Sequence, residues 1–481
     1  MRCLALAQAW RQSGGSAIFA SAEIPAALEA RLAGEGFQSV RLSVTPGTKE
    51  DAAKTGETAK SQNASWIVAD GYNFGLDYQR IIKAAGLRLL FPDDYGHAEE
   101  YVADFVLNQN LTANAALYAR RGPHTRLLLG TRYVLLREEF LRWKDWRREI
   151  PPVARKVLVT LGGADPDNVT GKVIQALRGL DVEVKIVIGG SNPHLEQLRS
   201  QESSVFRDPS SVTLLTDVTN MPELMAWADV AVAAGGSTSW ELAFMGLPSL
   251  AIVLADNQLE VAASLERAGV TINLGEQKRL KIEGATETVQ ALLADHSRRE
   301  NMSRRGRQLV DGLGVQRVLM RMRAPQLGLR RAQAEDSRLI WGWANDPELR
   351  AASFSPEPIP WENHVRWYAG KSVDPLCFFY VATNGCGQPI GQVRFELANH
   401  EAVISVSLAP AARGKGYGAA LIVRGIEQLF SESGADLVHA YIKTDNSTSV
   451  RAFEKADFED AGLKTIRGDQ ARHFVFRRKS T

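Results

Sequence analysis

The sequence predicts an α/β protein in which two Rossmann-like lobes, each with a parallel sheet, precede a smaller α+β domain. Three observations predict it. From the amino terminus to about residue 310, short apolar runs alternate with segments of helical periodicity, the pattern of repeated βαβ units. Several of those runs end in glycine-rich polar loops, as strands do where they hand a ligand loop to a helix. Beyond Leu329 the apolar runs are joined by hairpin signals instead, which belong to an antiparallel sheet.

Size and composition narrow the function classes. At 481 residues the chain exceeds one ordinary core, and its length suggests about three domains. Fifty-seven basic residues against 55 acidic ones leave a net charge of +2, which gives no electrostatic argument for a nucleic acid or an anionic membrane as partner. Three cysteines, Cys3, Cys377 and Cys386, are too few and too scattered for a disulfide framework or a zinc site, so a reducing cytoplasm is expected and no metal is predicted. No apolar run approaches the ~20 residues that cross a bilayer, and Met1 to Ala7 lacks the apolar core of a signal peptide.

The elements follow in order. Apolar residues from Cys3 to Trp10 recur at helical spacing, and Ala17 to Ala20 after Gly14-Gly15 reads as a strand. Helix Ala26 to Ala33, strands Val40 to Leu42 and Trp66 to Asp70, helix Tyr78 to Ala85 and strand Leu89 to Phe91 continue a first lobe over residues 1–148. Asp93, Asp94 and His97 follow a strand end, where they face a ligand or cap the next helix. The charged stretch Arg142 to Glu149 with Pro151-Pro152 marks a hinge. A second lobe, residues 149–324, has strands ending near Leu161, Ile188, Leu215, Ala234 and Val253, then helices Ala285 to Leu293 and Arg299 to Val310, capped by Asp311 to Gly314.

The second lobe carries the chemistry-bearing loops. The run Asp229 to Ala234 ends in Gly235-Gly236-Ser237-Thr238 and restarts as a helix, so bare backbone N–H groups and a helix start face whatever binds there, which suits a phosphate. A glycine pair also serves tight turns, and that reading stands beside the first. Glu241, about one turn into the helix, is within reach of a ribose hydroxyl pair. Lys156 to Leu161 runs likewise into Gly162-Gly163-Ala164-Asp165-Pro166-Asp167-Asn168; Gly189-Gly190-Ser191 and Ala255-Asp256-Asn257-Gln258 follow two more strands. In a parallel sheet all of these share one edge.

Pro325-Gln326-Leu327-Gly328 with Arg330-Arg331 reads as a linker to a third domain, residues 329–481. Trp341, Trp343, Phe354, Trp361 and Trp367 form either a core or an acceptor pocket. Strands Phe378 to Thr383, Ile390 to Phe395 and Ala402 to Leu408 follow, the first two joined by Asn384-Gly385. After Leu408 comes Arg413-Gly414-Lys415-Gly416-Tyr417-Gly418, opening a helix to about Phe430. Its alternating glycines let successive N–H groups face a pyrophosphate, while Arg413 and Lys415 add charge.

These residues carry two resemblances. Arg2 to Ala7, Asp70 with Tyr72, Asp93-Asp94, Leu107-Asn108-Gln109-Asn110, Tyr133 with Leu136-Arg137, and the Gly162, Gly235 and Asn257-Gln258 loops make residues 1–323 similar to the nucleotide-sugar hydrolases of the pseudaminic acid pathway. The fold implied is the two-lobed glycosyltransferase-B type. The UDP of an amino sugar would be held by Gly162, Gly163, Asp165, Asn168, Gly235, Gly236, Ser237, Thr238, Glu241, Asn257 and Gln258. In that family a first strand and a Gly-His loop with the catalytic histidine precede the segment matched by Arg2; the first lobe is expected to lack that strand, with a misassigned start codon as the simplest account.

Residues 329–478 resemble the Gcn5-related acetyltransferases. That resemblance implies acetyl-CoA held by Leu408, Arg413, Gly414, Lys415, Gly416, Tyr417, Gly418, Asn446 and Ser449. Trp343, Asn345, Arg350, Phe354 and His364 are similar to the branch that acetylates the amino sugar of that route. Where many members have a tyrosine acid this chain has Phe453, which donates no proton, so Tyr441 or a water is the candidate. The function expected is N-acetylation of a UDP-4-amino-4,6-dideoxy sugar followed by hydrolytic release of UDP. A glycosyltransferase, or an acetyltransferase with a nucleotide-sugar binding module, are the alternatives.

Overall fold

A computed structural model of the chain describes residues 1–199, 212–323, 325, 327–384 and 386–478, and resolves into two compact units, Met1–Leu319 and Met320–Thr481. Gly385 of the expected hairpin turn and Gln326 of the expected linker lie outside the described residues.

The first unit holds two α/β lobes. The amino-terminal lobe has strands β1 (Ile18–Ser21) and β2 (Gln38–Arg41), paired in parallel, and a parallel sheet of β3 (Ile67–Val68), β4 (Leu89–Pro92), β5 (Phe105–Asn108) and β6 (Arg126–Leu129). Among the described residues β1 and β3 each keep one edge without a strand partner. Helix Arg2–Gln12 buries Leu4 and Ala7 against Leu32 of helix Ala26–Gly34 and Phe37 just before β2. Helix Lys49–Ser61 escaped the sequence reading because it is polar and small-residue rich, yet Thr48 caps it by accepting from the Asp51 N–H at 3.2 Å. Strands β5 and β6 escaped too. The expected cap role of Asp93 is corrected: no helix follows it, and its carboxylate accepts from Tyr95 and Gly96 N–H groups, at 2.9 Å each, to close a turn.

The second lobe is a parallel sheet of β7 (Lys156–Thr160), β8 (Glu183–Val187), β9 (Val212–Leu215), β10 (Val230–Ala234), β11 (Ser249–Val253) and β12 (Thr271–Glu276) in the order β12-β11-β10-β7-β8-β9. Val157, Val159, Val184, Ile186, Val230, Val232, Leu250 and Ile252 form its core, which is why these strands read as unbroken apolar runs. Strand order reverses between β7 and β10, so the loops leaving those two strands diverge and open a crevice between them. Asp311 to Gly314, expected to cap the last helix of this lobe, lead into one more helix, Gly314–Arg323.

The second unit is a seven-stranded sheet ordered β13 (Leu327–Arg331), β14 (Cys377–Asn384), β15 (Pro389–Ala398), β16 (Glu401–Leu408), β17 (Leu437–Lys443), β19 (Asp469–Arg477) and β18 (Glu459–Ile466), antiparallel except where β16 meets β17. Helix Tyr417–Glu432 makes that parallel crossover and packs, with helix Ser447–Lys455, on one sheet face through Leu421, Ile422, Leu429, Val450 and Phe453. Helices Ser337–Ala344 and Trp361–Val373 cover part of the other face, where Trp343 and Tyr368 join Phe379 and Val381. The linker expectation is corrected: Leu327–Arg331 is an edge strand paired along its length with β14, its short alternation masked by Gly328 and the arginine pair Arg330-Arg331.

Candidate functional sites

Ahead of the second-lobe strands lies a cleft of about 490 Å³ between the two lobes of the first unit. The loop after β7 brings Gly162, Gly163 and Asp165; that after β10 brings Gly235, Gly236, Ser237 and Thr238; that after β11 brings Asn257 and Gln258. Gly162 sits at φ +90°, a conformation that leaves main chain where a side chain would otherwise stand. The Gly189 loop supports this wall from behind: a Cβ on Gly189 would fall 2.3 Å from the Gly163 carbonyl, to which Ser191 N–H donates at 3.1 Å.

Four expected ligand residues have structural partners. The Asp165 carboxylate, buried at the cleft wall, accepts from Val169 and Thr170 N–H at 2.8 and 2.9 Å, and Asn168 accepts from Gly171 N–H at 3.2 Å. Both cap helix Val169–Leu177, and Asn168 does not line the cleft. Gln258 accepts from Leu254 N–H at 3.0 Å, which fixes its loop. Glu241 lies outside the lining as well. Its carboxylate takes a bond of 2.9 Å from Arg137, and burial pushes its carboxyl up while Arg137 pulls the other way.

The first lobe contributes charge that the sequence did not assign to roles. Arg2 donates to Asp70 at 2.7 Å and to Asp94 at 2.9 Å; burial opposes ionisation of Asp70, but Arg2 outweighs it and holds that carboxyl below its usual range. Tyr72 donates to Asp94 at 2.7 Å and receives Asn257 Nδ2 at 3.1 Å, which joins the two lobes across the cleft. Burial first, and Asp94 second, push the Tyr72 hydroxyl up to about 12. His97 pairs with the buried Asp93 and does not line the cleft.

In the second unit the loop after β16 opens helix Tyr417–Glu432. Gly414 and Gly416 adopt φ +71° and +79°, with no atom within 4 Å of where a Cβ would sit, so an open cradle faces the helix start. Lys415 is exposed beside that cradle. Arg413 is bound to Asp346 at 2.7 Å and Glu348 at 2.8 Å, and so anchors the loop to helix Pro347–Ala351. Leu408 and Tyr417 pack on the core, and Gly418 passes close to Ala452. Asn446 caps helix Ser447–Lys455 by accepting from Ser449 N–H at 3.0 Å. Phe453 is core, while Tyr441 stacks on His473.

β16 pairs with β17 only through Glu401–Leu437, Ala402–Val438 and Val403–His439; from Ile404 to Leu408 it pairs with β15 alone. The main-chain groups on its other edge are therefore open to an extended amide chain, as in strand addition. Residues 326–459 match the family described as acetyltransferase (GNAT) domain. The second unit carries a GNAT acetyltransferase domain. Residues 163–313 match the glycosyltransferase family 28 C-terminal domain, so the cleft loops of the first unit belong to a glycosyltransferase-B-like lobe.

The chain is similar to spore coat polysaccharide biosynthesis protein SpsG of Bacillus subtilis, 28% identical over 242 residues, covering 48% of this chain and 67% of that protein. It is 20% identical over 407 residues to an uncharacterized protein of Methanocaldococcus jannaschii, covering 82% and 81%. Among solved structures, the GNAT domain resembles aminoglycoside acetyltransferase AAC(6')-Ib in complex with coenzyme A (21% identity, TM-score 0.29, 32% of this chain and 95% of that one). Spermidine N-acetyltransferase of Vibrio cholerae with CoA and spermine gives 20% identity, TM-score 0.30 and the same coverages. Among the described residues no group of three or more histidine, cysteine or carboxylate side chains is placed to hold a metal, and no helix is long and apolar enough to cross a membrane.

Proposed function

We propose that the GNAT domain transfers the acetyl group of acetyl-CoA to the 4-amino group of a UDP-linked 4-amino-4,6-dideoxy sugar, and that the first unit binds the UDP-sugar and releases UDP by hydrolysis, as in a pseudaminic-type nonulosonic acid route. The observation that carries this is the pairing, in one chain, of an open glycine cradle at the GNAT helix start with a glycine-lined cleft at the strand-order reversal of a glycosyltransferase-like lobe. Acetyl-CoA supplies an activated acyl carbon. The loop Gly414 to Gly418 takes its pyrophosphate, and the open edge of β16 its amides. In the cleft, Gly235 to Thr238 face the UDP phosphates, and the Glu241 carboxylate, set behind that loop and held by Arg137, is assigned to the ribose.

One observation favours a second reading, in which the first unit binds the nucleotide sugar without cleaving it: Asp70 and Asp94 are both held by Arg2, and among the described residues no histidine lines the cleft to deprotonate water. Incubation with acetyl-CoA and the UDP-4-amino sugar decides between them. Thiol release with an acetylated product supports the transferase; UDP appearing without a sugar acceptor supports hydrolysis. UDP release only when an acceptor is added would make the first unit a glycosyltransferase, and no thiol release would sink the acetylation reading.

A further inference from the structure

The GNAT sheet face opposite helix Tyr417–Glu432 carries a line of polar side chains that the glycine loop does not use. Alternation along β17 puts His439 and Tyr441 on it, and register sets His473 of β19 opposite Tyr441. Glu401 Oε2 lies 3.1 Å from His439 Nε2, and His439 Nδ1 lies 2.9 Å from His473 Nε2. The His473 ring stacks on Tyr441 with centroids 4.9 Å apart.

Hydrogen-bond polarity orients this chain. A carboxylate only accepts, so His439 carries its proton on Nε2 and accepts at Nδ1. His473 then donates from Nε2, and its Nδ1 lone pair remains the unengaged end. The order carboxylate, imidazole, imidazole follows the orienting logic of a catalytic triad, with one more ring.

Its place in the sheet matches the chemistry. β16 and β17 part company just beyond Val403 and His439. From Leu408, at the mouth of the glycine loop, to Val403 is about 17 Å of strand at ~3.3 Å per residue. The arm of CoA between pyrophosphate and sulfur has roughly a dozen bonds, about 13 Å at the same advance per bond. A pyrophosphate in the loop therefore brings a thioester to the level of His439 and Tyr441. Further along the same face Gln392, buried to 7% exposure, keeps Oε1 without a partner while its Nε2 donates to Ser407 at 3.1 Å, and a polar ligand on this face would satisfy it.

We propose that His473, oriented through His439 by Glu401, is the base that takes the proton from the acceptor amine during acetyl transfer; this rests on the acetylation reading above. The amine nitrogen bonds to the thioester carbon, an N–H proton passes to His473 Nδ1, and the C–S bond breaks with its electron pair on sulfur. His473 is the catalytic residue; His439 and Glu401 are positioning residues. The charged groups around them are Lys443, paired with Asp469 at 3.1 Å; Lys464 and Asp460 of β18, the latter held by Arg472; Arg467, bonded to Ser355; and Glu396 of β15 with Lys371 and Arg394. Burial, with Lys464 and His439 adding to it, keeps the His473 pKa below its ordinary value, so the ring is neutral near pH 7.

The test uses the full chain, acetyl-CoA and two acceptors, the UDP-4-amino sugar and the same 4-amino sugar without nucleotide, with kcat and kcat/KM followed against pH. His473→Asn is expected to lower kcat about a hundredfold or more, to leave acetyl-CoA affinity by calorimetry within about twofold, and to abolish the acid limb of kcat/KM. Glu401→Gln, which removes the anion that favours a charged imidazole, is expected to move that limb to lower pH with a loss under about tenfold. Unchanged acetyl-CoA affinity also shows that each variant is folded, and His473→Gln repeats the test with a longer side chain. A wild-type rate and acid limb in His473→Asn would overturn the proposal. If wild type acetylates only the free sugar, the UDP-sugar reading fails while the same profiles still judge the base. Transfer to neither acceptor overturns both.

Discussion

Arg137 holds two carboxylates at once, Glu241 at 2.9 Å and Glu139 at 2.8 Å, with a side chain only 7% exposed. Removing it leaves Glu241 buried without its counter-charge, which disfavours ionisation further. Since a ribose bond needs the carboxylate, UDP affinity falls as pH drops through the raised pKa of Glu241, and in Arg137→Met that fall moves to higher pH. Calorimetric titration of UDP between about pH 5 and 8 checks this, and superimposable profiles for the two proteins would refute it. Glu241→Ala removes a charged hydrogen bond of about 1.5–3 kcal/mol, so above the pKa of Glu241 UDP should bind at least about tenfold more weakly. Phe453 makes a different case. It is 4% exposed and packs edge-on against Phe458, so Phe453→Tyr would bury a hydroxyl and destabilise the protein by about 1–3 kcal/mol without raising the acetylation rate. Denaturant midpoints and initial rates test both halves of that statement.

At the scale of elements, the glycine loops were legible because their signal is local. A strand, a glycine pair and a helix start are contiguous in sequence, and the same residues line the cleft and the cradle. Gly416→Val puts a β-branched residue at φ +79°, and is expected to abolish acetyl-CoA binding in calorimetry; retained binding would reduce the loop to a turn. The strand β13 was misread as linker for the opposite reason, since an edge strand is defined by its partner. Its partner is β14, and Arg330 and Arg331 anchor it further, to Asp336 at 2.6 Å and to Glu432 at 2.5 Å. A GNAT fragment beginning at Met320 should therefore bind acetyl-CoA, whereas one beginning at Ala332 exposes the β14 edge and should aggregate or melt earlier. Equal melting temperatures for the two fragments would contradict this.

At the scale of the whole molecule, the proposed UDP-sugar and acetyl-CoA sites fall in different units, so each ligand should stabilise the unit that binds it. At about a hundred times its Kd, either ligand adds about 2.7 kcal/mol, and scanning calorimetry with UDP or acetyl-CoA should raise different transitions. A single transition raised equally by both would show that the units unfold as one. Composition, apolar runs and glycine loops by themselves determined the α/β class, the division into two Rossmann-like lobes and an α+β domain, and the loops at strand ends, because strand period, helix period and turn chemistry act over a few neighbouring residues. Tertiary structure alone decided which long-range partners meet. It joined Arg2 to Asp70 and Asp94, Arg137 to Glu241, and Glu401 to His439 and His473, across separations from 34 to 104 residues. Such pairs depend on sheet order and strand register, which a shift of one residue would reverse, and no local pattern in the chain encodes them.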